Sequence, residues 1–133
     1  MTSKVYYEGN LRTKCVHLKS GNEIITDAPV DNSGKGEAFS PTDTVAIALA
    51  SCMITVMGIK AEQLGILFVN VWADVEKTMS TNPRRISKIS IVISLPINLS
   101  KKDKLILEKV GDTCPVHNSL DSKLIRDIKY NWI

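Results

Sequence analysis

SPTDTVAIALASCMITVMGIKAEQLG, residues 40–65, leaves this chain the fewest choices of fold. Ser40 can cap a helix, and Pro41 suits its first turn, where an amide hydrogen would go unused. Asp43 can return a capping-box bond while sitting at the positive helix end. The pattern predicts a helix to about Leu64, with Gly65 as its left-handed stop. Residues 45–59 are apolar nearly all round, which predicts a buried helix rather than an amphipathic one. The run is about 15 residues, below the roughly 18–20 a bilayer asks for, and it holds Ser51 and Thr55. It therefore reads as core. One small sheet cannot cover every side of such a helix, so a second copy of the chain is expected to supply the rest, as a homodimer.

The flanking segments read as short strands. Lys4–Glu8, Thr13–Lys19 and Glu23–Asp27 alternate, with Ser20-Gly21-Asn22 as a turn between the last two. Ala28–Ala38 turns to Pro, Asp, Asn, Ser and Gly and reads as a loop bordering a site. Strands are predicted at Leu67–Met79 and Ile86–Ile97 around a turn at Ser80–Pro83, and in the second of them Ile89, Ile91 and Ile93 alternate with Ser90, Val92 and Ser94. A helix from Ser100–Asp103 to Gly111, a short helix from Pro115 to Leu120 and a last strand, Leu124–Trp132, complete the order. The expected class is α+β: one domain over 1–133, with mainly antiparallel sheets around a long buried central helix. Trp72 and Trp132 are expected to pack on the sheet.

Composition narrows the function classes. Aromatics make up 5% of the residues against 44% hydrophobic, so the core is aliphatic. The net charge of +3 is spread among acids rather than clustered, which argues against nucleic acid as a partner. MTSKVYYEGN lacks the apolar stretch of a signal peptide, so the expected location is the cytoplasm, with no membrane association. Thiols there serve catalysis, metal binding or packing rather than structural disulfides. The three cysteines are also an odd number. Cys15 lies in a strand and reads as packing. Cys52 lies deep in the long helix and Cys114 before a proline that can open a helix, a place that would lower its pKa. A core thiol and a helix-capping thiol, brought together by a fold, would form a two-step redox pair. Cys114-Pro-Val-His117 resembles half a metal site, but no second closely spaced pair follows, so no metal and no cofactor is expected.

SPTDTVAIALASC, MSTNPRRI and CPVHNSL, in this order and spacing, resemble the OsmC/Ohr family of osmotically inducible and organic hydroperoxide resistance proteins, in its general OsmC-like branch. The resemblance implies an intertwined α+β homodimer with sites at the interface. It also implies reduction of organic hydroperoxides by two cysteines, with Cys52 the peroxidatic and Cys114 the resolving residue. A small dithiol or lipoyl-type thiol would be the reductant. The hydroperoxidases of the family pair an arginine with a glutamate directly after the proline of this helix start. That position is Thr42 here, and Asp43 falls on the helix face opposite Cys52 at about 100° per residue, so it reads as a cap. Arg12, in GNLR, is the nearest counterpart of the arginine. Lys35, in the loop before the helix, matches a cation of another branch, and Arg84 and Arg85 could line the mouth. By helical spacing Val45, Leu49 and Val56 lie near Cys52 and would favour apolar substrates; His117 could border the pocket. Two other functions fit the same residues: a non-catalytic module binding an apolar ligand, and a redox-sensing dimer.

Overall fold

Alternation near the N-terminus and helical periodicity after Ser40 produce the element order β-β-β-α-β-β-α-α-β. The computed structural model describes residues 1–133 and divides into two compact units, Met1–Val45 and Ala46–Ile133.

The first unit is an antiparallel meander of β1 (Ser3–Gly9), β2 (Arg12–His17) and β3 (Glu23–Asp27). Val5 lies opposite Cys15, which lies opposite Ile24, while Arg12 lies opposite Asp27. Side chains alternate across a strand. One sheet face therefore carries Val5, Tyr7, Cys15 and Ile24, and the other carries Arg12, Lys14 and Asp27. Val5 is 63% exposed, Tyr7 69% and Ile24 57%, so the apolar face is open within this unit. The Ala28–Ala38 loop contains a short 3-10 turn, Val30–Asn32. Gly34 is required there by close approach: a Cβ on it would lie 1.7 Å from the Ala28 carbonyl oxygen.

The predicted start of the long helix holds in full. In α1 (Pro41–Gln63), the Ser40 Oγ accepts from the Asp43 amide at 3.1 Å, and the Asp43 carboxylate accepts from the Ser40 amide at 2.9 Å. Its end is a Schellman turn: the Ile66 amide donates to the Ala61 carbonyl and the Gly65 amide to that of Glu62, with Gly65 at φ 69°.

The second unit carries the body of α1, then β4 (Trp72–Ser80), β5 (Arg85–Leu95), α2 (Lys101–Gly111), α3 (Pro115–Ser119) and β6 (Ile125–Trp132). β5 is the central strand, antiparallel to β4 and parallel to β6. Parallel neighbours need a crossover, and α2 and α3 form it. The alternation read in β5 is realised: Ile89, Ile91, Ile93 and Leu95 are fully buried, in one cluster with Leu49, Met53, Met57 and Leu107. Each such side chain contributes about 1.5–3 kcal/mol by leaving water.

Two expectations are corrected. The fourth strand opens at Trp72 rather than Leu67, because Gly65 at φ 69° and Asn70 at φ 57° leave the intervening chain irregular. Trp72 is 47% exposed on the outer sheet face instead of packed. Within the single chain α1 is buried on one face only, through Ala46, Leu49, Ala50, Met53, Met57 and Ala61, while Ile59 is 53% exposed. The helix also exceeds the apolar run that predicted it. It is long and apolar enough to cross a membrane by length and composition, with a mean hydropathy of 1.8 over 18 residues, a test that core helices of soluble proteins also pass.

Candidate redox site

The second unit brings Cys52 and Cys114 together. Cys114 stands at the N-cap of α3 with extended backbone, and its Sγ accepts from the His117 amide at 3.3 Å. Pro115 follows at the first helical position, as read from the sequence. Cys114 is 1% exposed. The cap was expected to lower its pKa; the pKa is instead raised. Burial is the main cause, the His117 amide opposes it, and the neighbouring Cys52 adds to the rise as a hydrogen-bonding partner and as a charge. Desolvation outweighs the amides of His117 and Val116 and a single-turn helix. Cys114 therefore keeps its proton at neutral pH, beside Cys52.

Cys52 is half-buried on α1 and packs against the core cluster, and all three cysteines are free thiols. Of the apolar residues assigned to its surroundings, Leu49 is fully buried, Val56 half-buried and Val45 36% exposed. Cys15 is half-buried on β2, its Sγ 3.9 Å from the Thr13 hydroxyl. No three His, Cys, Asp or Glu side chains gather to hold a metal ion.

The segment that carries Cys114 is held by Arg126 and Tyr130, which the sequence did not single out, and by Trp132, which packs on the core as expected. Arg126 Nη2 donates to the carbonyls of His117, Leu120 and Asp121, and its Nη1 to that of Leu124. It thereby closes the C-terminal end of α3. Tyr130 Oη donates to the Asp112 carboxylate at 2.7 Å and approaches the Glu108 carbonyl, and Trp132 Nε1 donates to the Glu108 carboxylate. Burial, with the Asp112 carboxylate second, pushes the Tyr130 phenol far above its ordinary range. Gly111 makes room for this phenol, since a Cβ there would lie 2.6 Å from its oxygen. The alternation of IRDIKYNW could have revealed this face, because Arg126, Ile128, Tyr130 and Trp132 share it. His117 is half-buried, and its Nδ1 is enclosed without a hydrogen-bond partner.

The first unit holds the other residues singled out. Arg12 makes a two-point ion pair with Asp27, Nε to Oδ1 at 2.7 Å and Nη2 to Oδ2 at 2.8 Å; Nη2 also reaches Glu37 at 3.2 Å. Asp27 is 1% exposed and accepts from the Glu37 amide as well. The Arg12 hydrogen bond, the largest influence, holds the Asp27 carboxyl below the usual range, and the same pair holds the guanidinium charged. Asp27 was not singled out in the sequence, where it reads only as a strand end. Thr42 places its hydroxyl 3.2 Å from that of Ser40. Lys35 is exposed in the loop, with a smaller influence on Asp27. In the second unit Arg84 is exposed at the turn, and Arg85 opens β5, also exposed, donating to the Ile86 carbonyl.

Comparison with known proteins agrees with this architecture. The OsmC-like protein family matches residues 34–128. A crystal structure from Psychrobacter arcticus 273-4, of a protein described as an osmotic stress induced and detoxification response protein, is 48% identical. The match covers 98% of this chain and 95% of that one, at a TM-score of 0.95. An organic hydroperoxide resistance protein OsmC from Legionella pneumophila shares the fold at 15% identity and a TM-score of 0.76, over 97% and 94% of the two chains. So does a protein from Vibrio cholerae described as an organic hydroperoxide resistance protein, with captopril in one of its active sites, at 15% identity and a TM-score of 0.72, over 100% and 93%. No curated protein matches the chain. The chain belongs to the OsmC-like protein family.

Proposed function

We propose that this protein is a cysteine-based thiol peroxidase that reduces organic hydroperoxides. The observation that carries the reading is the adjacency of two free thiols, Cys52 and Cys114, in one buried cluster. In the first step the Cys52 thiolate attacks one peroxide oxygen. The O–O bond breaks, the alkoxide leaves and takes a proton as alcohol, and Cys52 becomes a sulfenic acid. Cys114 sulfur then attacks the Cys52 sulfur and water departs, leaving a disulfide. An external dithiol, lipoyl-type or similar, reopens the bond by exchange and is itself oxidised to a disulfide.

The environment of Cys114 suits this order of events. While Cys52 is a thiolate, its charge helps hold the proton on Cys114, so the resolving sulfur stays unreactive. Conversion of Cys52 to a neutral sulfenic acid removes that charge and so eases the ionisation of Cys114, which burial still opposes. Arg12 is assigned as the cation that stabilises the Cys52 thiolate and orients the peroxide. Val56 and Val45 favour bulky apolar hydroperoxides over hydrogen peroxide, whereas Leu49, expected at the pocket, is closed into the core and meets no substrate.

The working form is a cytoplasmic homodimer of single 1–133 domains, with no cofactor, membrane or nucleic acid involved. Its support is the apolar surface each unit leaves open: Val5, Tyr7 and Ile24 in the first, and Ile59 on α1 in the second. Consumption of cumene hydroperoxide with dihydrolipoamide tests the function. Cys52→Ser is expected to abolish turnover, and Cys114→Ser to let Cys52 run on to sulfinic acid. Wild-type consumption no faster than that of Cys52→Ser would sink the enzyme reading.

A further inference from the structure

We infer that Asp27 is the positioning residue for Arg12, so the acid that aims the guanidinium comes from the end of β3 and not from the start of α1. The inference rests on the role given to Arg12 above. Arg12 and Asp27 face each other directly across the β2–β3 ladder, which fixes both backbones. The carboxylate takes the guanidinium by its Nε and Nη2 edge in parallel bonds of 2.7 and 2.8 Å. Such a fork sets the plane of the guanidinium as well as its place, which a point contact cannot do. Nη1 bonds to neither carboxylate, and its donors are left for an anion.

The two ends of the pair differ in exposure: the Arg12 side chain is 33% exposed and that of Asp27 1%. A buried carboxylate holding a partly open cation is poor value for stability, because desolvation offsets the attraction, but it suits orientation. The Glu37 amide takes a further position on Asp27 and keeps the carboxylate from turning. The Glu37 carboxylate is 66% exposed and touches Arg12 at one point, so it cannot do the same. At position 42 there is no acid, and the Thr42 hydroxyl is engaged with Ser40.

The test is the rate of alkylation of Cys52 by iodoacetamide at pH 7, followed peptide by peptide in the mass spectrometer, which needs no turnover. Asp27→Asn is expected to slow it about tenfold, the scale on which supporting partners act, and Asp27→Glu to recover most of the loss. The sign is diagnostic, since removing a negative charge without disturbing Arg12 would make a thiolate form more readily and speed alkylation. Arg12→Lys keeps the charge, loses the fork and is expected to match Asp27→Asn, and it carries the test if Asp27→Asn does not fold. A rate equal to or above wild type in Asp27→Asn, no rescue by Asp27→Glu, or a wild-type rate in Arg12→Lys overturns the inference. Failure of the peroxidase reading shows separately, as wild-type turnover no greater than that of Cys52→Ser, while the alkylation rates still decide the role of Asp27.

Discussion

Arg126→Leu should loosen the resolving cysteine without unfolding the protein. The guanidinium donates to four carbonyls at the end of α3 and in the turn after it, at 3.0 to 3.3 Å. Three of those acceptors share Nη2, which has only two hydrogens, so the bonds are fewer than the contacts. The carbonyls of His117 and Asp121 keep amide partners, Leu120 and Leu124, when the side chain goes. Arg126 Nε is buried without a partner, and leucine relieves that cost. A hydrogen bond from a charged group contributes about 1.5–3 kcal/mol. After these offsets a net loss of about 1.5 kcal/mol is expected, confined to α3. At 1.4 kcal/mol per tenfold, local opening becomes roughly 10 times more frequent. Cys114, 1% exposed in the closed state, reports that opening directly. Its labelling by a thiol reagent should rise by about that factor, with hydrogen exchange accelerated over 114–124 and unchanged in β5. An unchanged Cys114 rate, or equal acceleration in β5, would refute the view that Arg126 fastens this helix.

Ser40→Ala removes the acceptor for the Asp43 amide at the head of α1 and should cost about 1 kcal/mol, read as a lower denaturant midpoint at unchanged slope. Met53→Ala, at a fully buried position of the core cluster, should cost about 2–5 kcal/mol through lost burial and a cavity; a smaller loss would mean that the neighbours collapse into the space. The Asp27 carboxyl has a folded-state pKa below its unfolded value of about 3.9, so its contribution is present above that pH and lost as pH falls through the folded pKa. Wild type should therefore lose more stability than Asp27→Asn between pH 6 and pH 3, and parallel losses would remove Asp27 as a source of acid sensitivity.

Local chemistry was legible in the sequence wherever a motif and its consequence lie within one or two turns of chain. Ser40, Pro41 and Asp43 specify the start of α1, and Gly65 its end, because capping joins residues three or four apart. The alternation from Ile89 to Ser94 announced a strand with one apolar face, and that face is the buried one. The cysteine before Pro115 was recognisable as a cap for the same local reason. Its pKa was not, since burial comes from packing around the cap rather than from the cap itself. Trp72 was misplaced because a strand pattern does not tell which face will be covered.

The sequence by itself determined the α+β class, the central helix, the core face of β5 and the two thiols worth following, since these depend on period and short-range hydrogen bonding. Only the tertiary structure decided that Cys114 lies beside Cys52, that Arg126 and Tyr130 hold the segment carrying Cys114, and that Asp27 takes Arg12 in a fork. Those pairs join residues far apart in the chain. Sheet register and core packing set them, and no local pattern of residues encodes either.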